Sequence, residues 1–211
     1  FMALAFEPGA ELPKPYPRPS LQIDSTSRDA TLAKFGLDLD RPVLALCPGA
    51  EFGEAKRWPA EHYAKVAELK IRAGWQVWLF GSKNDHPGGE DLRMRLIPGL
   101  REECTNLSGA TSLAEAIDLL SCAGAVVSND SGLMHVAAAL NRPLVAVYGS
   151  TSPQFTPPLA EQVEIVRLGL ECSPCFERTC RFGHYNCLLE LKPRPVIEAL
   201  DRLVADPVEV E

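Results

Sequence analysis

The sequence predicts a three-layer α/β sandwich, a Rossmann-like fold in which helices cover both faces of a parallel sheet. From residue 42 onward, short β-rich runs alternate with helical patterns, and this alternation implies right-handed parallel crossovers. The run VLALC is continuously apolar, which is typical of a strand that is buried on both faces. The chain has 211 residues with 46% hydrophobic content, enough to bury one sizeable core.

The elements follow in order along the chain. VLALC is the first strand, and Pro59 suits the first turn of the helix that comes next. WQVWLFG is the second strand, CTNLSG is a weak third, and Ser112 begins an amphipathic helix. The predicted strands cover 43–47, 75–81, 104–109, 123–128, 144–149 and 163–168. The predicted helices cover 59–73, 90–96, 112–122, 132–140 and 195–204.

Six strands of this kind predict the strand order 3-2-1-4-5-6. In that order a ligand crevice lies between the first and fourth strands, at their carboxyl ends. The loops that follow these two strands are PGAEFGEAKRWP (48–59) and NDSG (129–132). Because these loops are also chemically unusual, the sequence predicts a ligand site at this edge of the sheet.

The NDSG loop has the composition of an anion site at the start of a helix. A helix that begins at Ser131 or Gly132 directs its free N–H groups and its positive dipole end at the crevice. Gly132 allows an anion to approach the backbone, Ser131 adds a hydroxyl, and Asp130 is suited to bonding a ligand hydroxyl. The alternative is that Asn129, Asp130 and Ser131 are only helix-capping residues.

Two further side chains are candidates for phosphate binding. Lys56 ends a glycine-containing loop and can reach a phosphate, although an exposed ion-pairing lysine beside a packing Trp58 is the alternative. His135 lies one helical turn after Ser131, on the same face. His135 either donates to a phosphate, holds the loop, or is a satisfied core histidine. The sequence lacks GxGxxG and GxxxxGK[ST], so neither a nicotinamide site nor a P-loop is indicated.

Two loops offer candidates for contacts with a nucleoside. FGSKNDH follows the second strand, where a polar residue of a Rossmann-like site reaches a ribose hydroxyl. Asn84 or Asp85 is suited to this role, and a solvated turn is the alternative. Thr111 and Ser112 either line an adenine or ribose pocket or cap the next helix.

Residues 172–187 contain Cys172, Cys175, Cys180 and Cys187, with His184 among them. Four soft ligands that begin with a CxxC pair are suited to a structural, tetrahedral zinc site. The second pair is CxxxxxxC rather than CxxC, so reduced thiols around a loop core and disulfides remain alternatives.

Charge and cysteine usage limit the partners and the compartment. The net charge of −7 argues against nucleic acid as a partner, because nucleic-acid binders carry a basic field. No apolar run approaches the roughly 20 residues that cross a bilayer. The seven cysteines are an odd number, and three lie in apolar contexts, which suits a reducing cytoplasm.

The chain opens inside the apolar stretch FMALAF, and five prolines follow in EPGAELPKPYPRP. Such a proline-rich segment is suited to an extended connector and not to a helix or a central strand. We therefore expect residues 1–41 to be an interdomain connector with a leading helix, and residues 42–211 to be a binding domain. The chain is expected to be part of a longer polypeptide.

The stretches PGAEFGEAKRWP, NDSGLMHVAAALNRPLVAVYG and SPQFTPPL resemble the ADP-heptose:lipopolysaccharide heptosyltransferases of glycosyltransferase family 9. The resemblance runs from the start of the chain through the final helix. It implies a GT-B architecture, in which two Rossmann-like domains face each other and the carboxyl-terminal one binds the nucleotide sugar. It also implies that an amino-terminal domain, with the acceptor site and the catalytic base, is missing here.

The resemblance assigns donor-binding roles by position in these motifs. It gives Lys56 to the donor diphosphate, Ser131 and Gly132 to the phosphate-binding turn, Asp130 to the heptose, His135 to the family's histidine position, and Asp85 to the ribose.

The resemblance implies transfer of heptose from ADP-heptose to the lipid A–Kdo–heptose inner core of lipopolysaccharide, with inversion. Lys56 and a helix dipole would stabilise the departing ADP, so no metal or other cofactor is required for catalysis. The expected location is the cytoplasm, with peripheral contact to the inner membrane through the acceptor. The base belongs to the missing domain, so this chain alone is expected to be inactive.

Two alternatives remain at this point. A nucleotide-sugar epimerase of the same fold would prefer UDP to ADP. A non-catalytic nucleotide-binding module would use the same site without transferring a sugar.

Overall fold

The computed structural model describes residues 6–12 and 18–205. Its centre is a six-stranded sheet in the order β3-β2-β1-β4-β5-β6, and every neighbouring pair is parallel. The predicted fold class and strand order are therefore confirmed. The strands are β1 (Val43–Cys47), β2 (Gln76–Leu79), β3 (Cys104–Asn106), β4 (Ala125–Asn129), β5 (Leu144–Val147) and β6 (Val163–Val166).

The helices cover both faces of this sheet. They are α1 (Ser25–Phe35), α2 (Ala60–Arg72), α3 (His86–Arg95), α4 (Leu113–Leu120), α5 (Gly132–Ala139), α6 (Asn186–Leu189) and α7 (Pro193–Ala205). Each of the predicted helices is present, with ends that differ by a few residues. The short helix α6 was not predicted.

Two apolar cores lie on opposite faces of the sheet, because side chains alternate along each strand. From β1, Leu44 and Leu46 belong to one core, and Val43, Ala45 and Cys47 belong to the other. The first core is closed by α2, α3 and α7, and the second by α1, α4 and α5. This is the three-layer sandwich that the sequence predicts.

Helix α3 begins at His86, four residues before the predicted start. The sequence HPGG at its start has low intrinsic helix propensity, because it contains proline and glycine. Tertiary packing overrides that preference. A Cβ at Gly89 would stand 2.6 Å from the side chain of Asn106, so glycine is needed for α3 to approach β3.

The leading helix α1 packs against α4. Asp24 caps it by accepting the N–H of Thr26, and Gly36 ends it in the left-handed conformation with φ of 62°. Ser27 Oγ donates to the carboxylate of Asp118 on α4 at 2.7 Å. The stretch FMALAF and the prolines at 13, 15 and 17 lie largely or wholly outside the described residues, so the division at residue 41 stays a prediction.

No helix within 6–12 and 18–205 is both long enough and apolar enough to cross a membrane.

Candidate functional site

The carboxyl ends of β1 and β4 bring the two unusual loops together. Asn129, the last residue of β4, is fully buried and makes two hydrogen bonds to the first loop and one to helix α2. Its amide nitrogen donates to Pro48 O at 2.6 Å, and its Oδ1 accepts from Trp58 N at 3.2 Å and Tyr63 Oη at 3.0 Å. Asn129 is therefore neither a helix cap nor a ligand group but the side chain that fixes the crevice.

Lys56 lies in this crevice and is paired with Asp130. Its Nζ donates to Asp130 Oδ2 at 2.7 Å and stands 4.9 Å from the centre of the Phe52 ring. Asp130 Oδ2 also accepts the hydroxyl of Thr151 at 2.6 Å. The side chains of Lys56 and Asp130 are 13% and 4% exposed. The ammonium group is thus held in place by a buried carboxylate, and the alternative of an exposed surface lysine is wrong.

This pairing changes what Asp130 does in the chain. One of its oxygens is engaged by an ammonium and a hydroxyl, so Asp130 positions Lys56 in this structure. A bond from Asp130 to a ligand hydroxyl stays a prediction. Thr151 was not predicted, although the polar run GSTS after β5 ends at the same edge of the sheet and could have indicated it.

Helix α5 begins at Gly132 with Ser131 as its N-cap residue, in extended backbone conformation. Within the described residues, no side chain caps the first turn of α5. Ser131 Oγ instead lies 3.3 Å from Ser128 Oγ. Gly132 is exposed, and a Cβ there would meet nothing within 4 Å. The capping explanation of the NDSG loop is therefore wrong, and the first N–H groups of α5 remain available to an anion.

A cavity of about 450 Å³ adjoins the start of α5. Ser131 and Gly132 form one side of it, and Asp85 and Leu113 lie on others. The complete lining is Cys47, Gly49, Ala50, Glu51, Phe80, Gly81, Ser82, Asp85, Leu113, Ser131, Gly132, Leu133 and Val136. The cavity thus lies between the ends of β1 and β2 and helix α5, beside the first turn of that helix.

Asp85 is fixed at the floor of this cavity by its own loop. Ser82 donates to Asp85 Oδ2 through its backbone N–H at 2.9 Å and its hydroxyl at 2.7 Å. Arg57 donates to the other carboxylate oxygen at 3.2 Å. A Cβ at Gly49 would stand 2.6 Å from the Asp85 carboxylate, so the first loop needs glycine there. Asn84 lines a second cavity of about 200 Å³ on the far side of Asp85.

Three other predicted residues lie away from this cavity. Thr111 does not line it, and its assignment to a nucleoside pocket stays a prediction; Ser112 caps α4, and Leu113 lines the cavity. Lys56 and His135 do not line it either. His135 lies within α5, and Lys56 contacts Asp130 in the loop before this helix. His135 is exposed on α5, so the alternative of a buried core histidine is wrong.

The cysteines fall into two groups. Burial raises the pKa of Cys47, in the cavity lining, to about 12, so its thiol is neutral and does not act as a nucleophile. In the 172–187 loop, burial and then the neighbouring Cys175, Cys172 and Cys180 thiols raise the pKa of Cys187 to about 11. The backbone N–H of Tyr185, and then those of neighbouring residues, lower the pKa of Cys180. The four loop cysteines therefore lie close together.

The fold and the crevice define a Rossmann-like domain whose candidate anion site lies at the topological switch point of the sheet. The chain belongs to glycosyltransferase family 9 (heptosyltransferase), whose sequence profile matches residues 1–186. The resemblance seen in the sequence is confirmed.

Three known proteins illustrate this similarity. The chain is 47% identical to lipooligosaccharide heptosyltransferase 2 of Haemophilus influenzae, over 97% of this chain and 62% of that protein. It is similar to the structure of E. coli ADP-heptose lps heptosyltransferase II, with a TM-score of 0.86, 43% identity, and coverage of 96% and 60%. Against E. coli heptosyltransferase WaaC with ADP, the TM-score is 0.61, with 25% identity and coverage of 90% and 52%. The chain thus spans between 52% and 62% of the length of these relatives.

Proposed function

We propose that this chain is the donor-binding part of a heptosyltransferase that transfers heptose from ADP-heptose to the inner core of lipopolysaccharide. Family membership and the names of the relatives support the reaction class and the donor. The observation that carries the proposal is the uncapped first turn of α5, which lies at the switch point beside Lys56. The diphosphate of the donor binds there.

The chemistry of this corner fits a diphosphate. The amino end of α5 carries a partial positive charge, and its free N–H groups donate to phosphate oxygens. Lys56 has three N–H donors; one donates to the Asp130 carboxylate at 2.7 Å and one to the Asp130 backbone carbonyl at 3.4 Å. The remaining donor can bind phosphate while Asp130 keeps the side chain in place. His135 is exposed on the same helix, and we assign it a contact with the phosphates or the sugar.

The adenosine occupies the cavity of about 450 Å³ next to Ser131 and Gly132. Its walls include apolar side chains such as Phe80 and Leu113, and Asp85 supplies a carboxylate. This combination suits a flat base with a ribose, because small-molecule sites are mainly apolar with a few polar groups. We assign Asp85 to the ribose hydroxyls; its two oxygens already accept bonds from Ser82 and Arg57, so the ribose shares these acceptors.

In the reaction, an acceptor oxygen attacks the anomeric carbon of the heptose from the face opposite to ADP, which inverts that centre. The bond between this carbon and the β-phosphate oxygen breaks, and its electron pair stays on the phosphate. Lys56 and the α5 N–H groups stabilise this growing negative charge, which is greatest towards the transition state. No metal is needed at the leaving group for this step.

The acceptor and the general base belong to the part of the relatives that this chain does not span. The acceptor is the lipid A–Kdo–heptose inner core, and its membrane anchorage would bring the enzyme to the cytoplasmic face of the inner membrane. Deprotonation of the attacking hydroxyl requires a positioned base, which we place in an amino-terminal domain. The chain alone therefore binds the donor without transferring heptose.

Calorimetric titration of the chain with ADP and with UDP tests this proposal. We expect ADP to bind more tightly, because the donor is ADP-heptose. Preference for UDP would support an epimerase of the same fold and would overturn the proposal.

A transfer assay tests whether the general base lies within this chain or outside it. The chain is incubated with ADP-heptose and a synthetic inner-core acceptor, and released ADP is measured. We expect no release above that seen without acceptor. Acceptor-dependent turnover by the purified chain would show that the base lies within it.

A further inference from the structure

The loop 172–187 surrounds one small cavity with its four cysteines. The cavity has a volume of about 20 Å³, and Cys172, Cys175, Cys180 and Cys187 all line it. All four thiols are free and half-buried. A space of this size holds about one water-sized guest. The four cysteines therefore surround a single space of about the size of one ion.

The same cavity contains a buried polar atom that lacks a partner. Ser150, just after β5, lines the cavity and is 1% exposed. Its Oγ has no hydrogen-bond partner among the residues that the structure describes. Buried hydroxyl groups are costly unless they are paired, so this cavity favours a polar or ionic occupant.

His184 also lines this cavity, but its Nδ1 atom is already engaged. His184 Nδ1 accepts the backbone N–H of Asn186 at 3.0 Å, which uses the lone pair of that nitrogen. Cys180 Sγ lies 4.0 Å from the same nitrogen. The thiols therefore remain as the soft donors that face the cavity.

We propose that the four thiols of this loop bind one zinc ion in a tetrahedral structural site. Zinc favours four thiolates, and thiolate ligands select zinc over hard cations such as magnesium and calcium. Each thiol loses its proton to water on binding, so one Zn²⁺ replaces four protons and the site carries a charge of −2. Arg181, which also lines the cavity, offsets part of this charge.

The thiols must move inward to form this site. In residues 6–12 and 18–205, no three or more His, Cys, Asp or Glu side chains are already arranged to hold a metal. The four cysteines already line one cavity of about 20 Å³. The ion would fill that cavity.

Metal binding would also fix the segment that carries Lys56. Arg178 O, in the cysteine loop, accepts the N–H of Ala55 at 3.1 Å. The loop is tied to the end of β5 as well, because Ser150 O accepts the N–H of Cys175 at 3.0 Å. A metal-bound loop would therefore hold Lys56 where the diphosphate binds. This consequence rests on the proposed function, whereas the metal site does not.

Cobalt titration tests the metal site directly. The untagged chain is reduced, stripped of metal and titrated with Co²⁺, whose absorption spectrum reports tetrahedral thiolate coordination. We expect saturation at one equivalent, and one equivalent of zinc displacing the cobalt. A folded, reduced chain that gives no thiolate–cobalt band would overturn the proposal. Disulfides that form among these cysteines in the presence of zinc would overturn it too.

Variants locate the site. Cys172→Ser is expected to lose the band or to change it to that of a three-thiolate site, whereas Cys122→Ser, outside the loop, keeps it. An unchanged band in Cys172→Ser would overturn the assignment. If Cys172→Ser fails to fold, protection of the four loop thiols from alkylation by zinc in the native chain supplies the same test, and equal labelling with and without zinc would refute it.

Calorimetry with ADP, on the metal-loaded and the metal-stripped chain, separates this inference from the proposed function. Weaker ADP binding after metal removal is expected. Equal ADP binding in both forms would overturn the coupling to Lys56, while the cobalt titration would still decide the metal site. A chain that binds metal but no ADP would count against the proposed function only.

Discussion

Replacement of Lys56 by methionine tests whether this residue binds phosphate or only pairs with Asp130. The change removes an ammonium that stands 2.7 Å from Asp130 Oδ2, and the carboxylate left behind is 4% exposed. Removing one partner of a buried ion pair costs about 3–5 kcal/mol, and the partial exposure of Lys56 favours the lower value. We therefore expect Lys56→Met to lower the free energy of unfolding by about 3 kcal/mol.

Binding of ADP should fall for a separate reason. A hydrogen bond to a charged group is worth about 1.5–3 kcal/mol, so losing the contact with the diphosphate raises Kd by about 10- to 150-fold. The double variant Lys56→Met/Asp130→Asn separates the two effects. Its neutral amide can still accept the hydroxyl of Thr151, so most of the lost stability should return while ADP binding stays weak.

Urea denaturation and calorimetry measure the two quantities on the same preparations. Lys65→Met is the matched control, because Lys65 forms an exposed pair with Glu68 at 3.1 Å. Such pairs contribute about 0–1 kcal/mol, so both stability and ADP affinity should be almost unchanged. If the double variant bound ADP as tightly as the unaltered chain, Lys56 would have only a structural role, and the reasoning would be refuted.

Three further outcomes follow from the site. Gly132→Ala should weaken ADP binding by at least about tenfold, because the added Cβ would stand where we propose that a phosphate approaches. Thermal stability should not fall, because a Cβ at Gly132 meets no protein atom within 4 Å. Gly88→Ala is the calorimetric control, because the space at Gly88 is equally open. Thr151→Val should lower the unfolding free energy by about 1–3 kcal/mol in urea, since a buried carboxylate loses a donor at 2.6 Å. Cys47 should resist alkylation in the native chain at about pH 8, because burial raises its pKa to about 12.

Each of these outcomes can fail in a specific way. Equal loss of ADP affinity in both glycine variants would mean that helix changes, not phosphate access, weaken binding. A valine variant at 151 that is as stable as the unaltered chain would show that Asp130 does not depend on this hydroxyl. Rapid labelling of Cys47, identified by peptide mass spectrometry, would mean that the end of β1 opens to solvent.

The strand order and the place of the site could be predicted because both depend on local patterns. Continuous apolar runs such as VLALC identify buried parallel strands. Because helices alternate with these strands, the connections between strands are predicted to be right-handed crossovers. The parallel pairing of β1 with β4 then brings the loops 48–59 and 129–132 together at one edge of the sheet, without any knowledge of side-chain contacts.

The contacts within the site depend on tertiary packing and could not be predicted in this way. Lys56 and Asp130 are 74 positions apart, and both carry charges that are usually exposed, so nothing local indicates that they pair with so little exposure. The capping interpretation of Ser131 failed because its hydroxyl lies beside Ser128. The sequence offers both Thr111 and Ser112 as caps of α4, and the structure shows that Ser112 is the cap.

A crystal structure of the chain with ADP would test the proposed donor site most directly. We predict that the diphosphate accepts hydrogen bonds from the first N–H groups of α5 and from Lys56 Nζ, with the adenosine in the cavity of about 450 Å³ lined by Asp85 and Leu113. A diphosphate bound away from the start of α5, with Lys56 still paired only to Asp130, would contradict the proposed site.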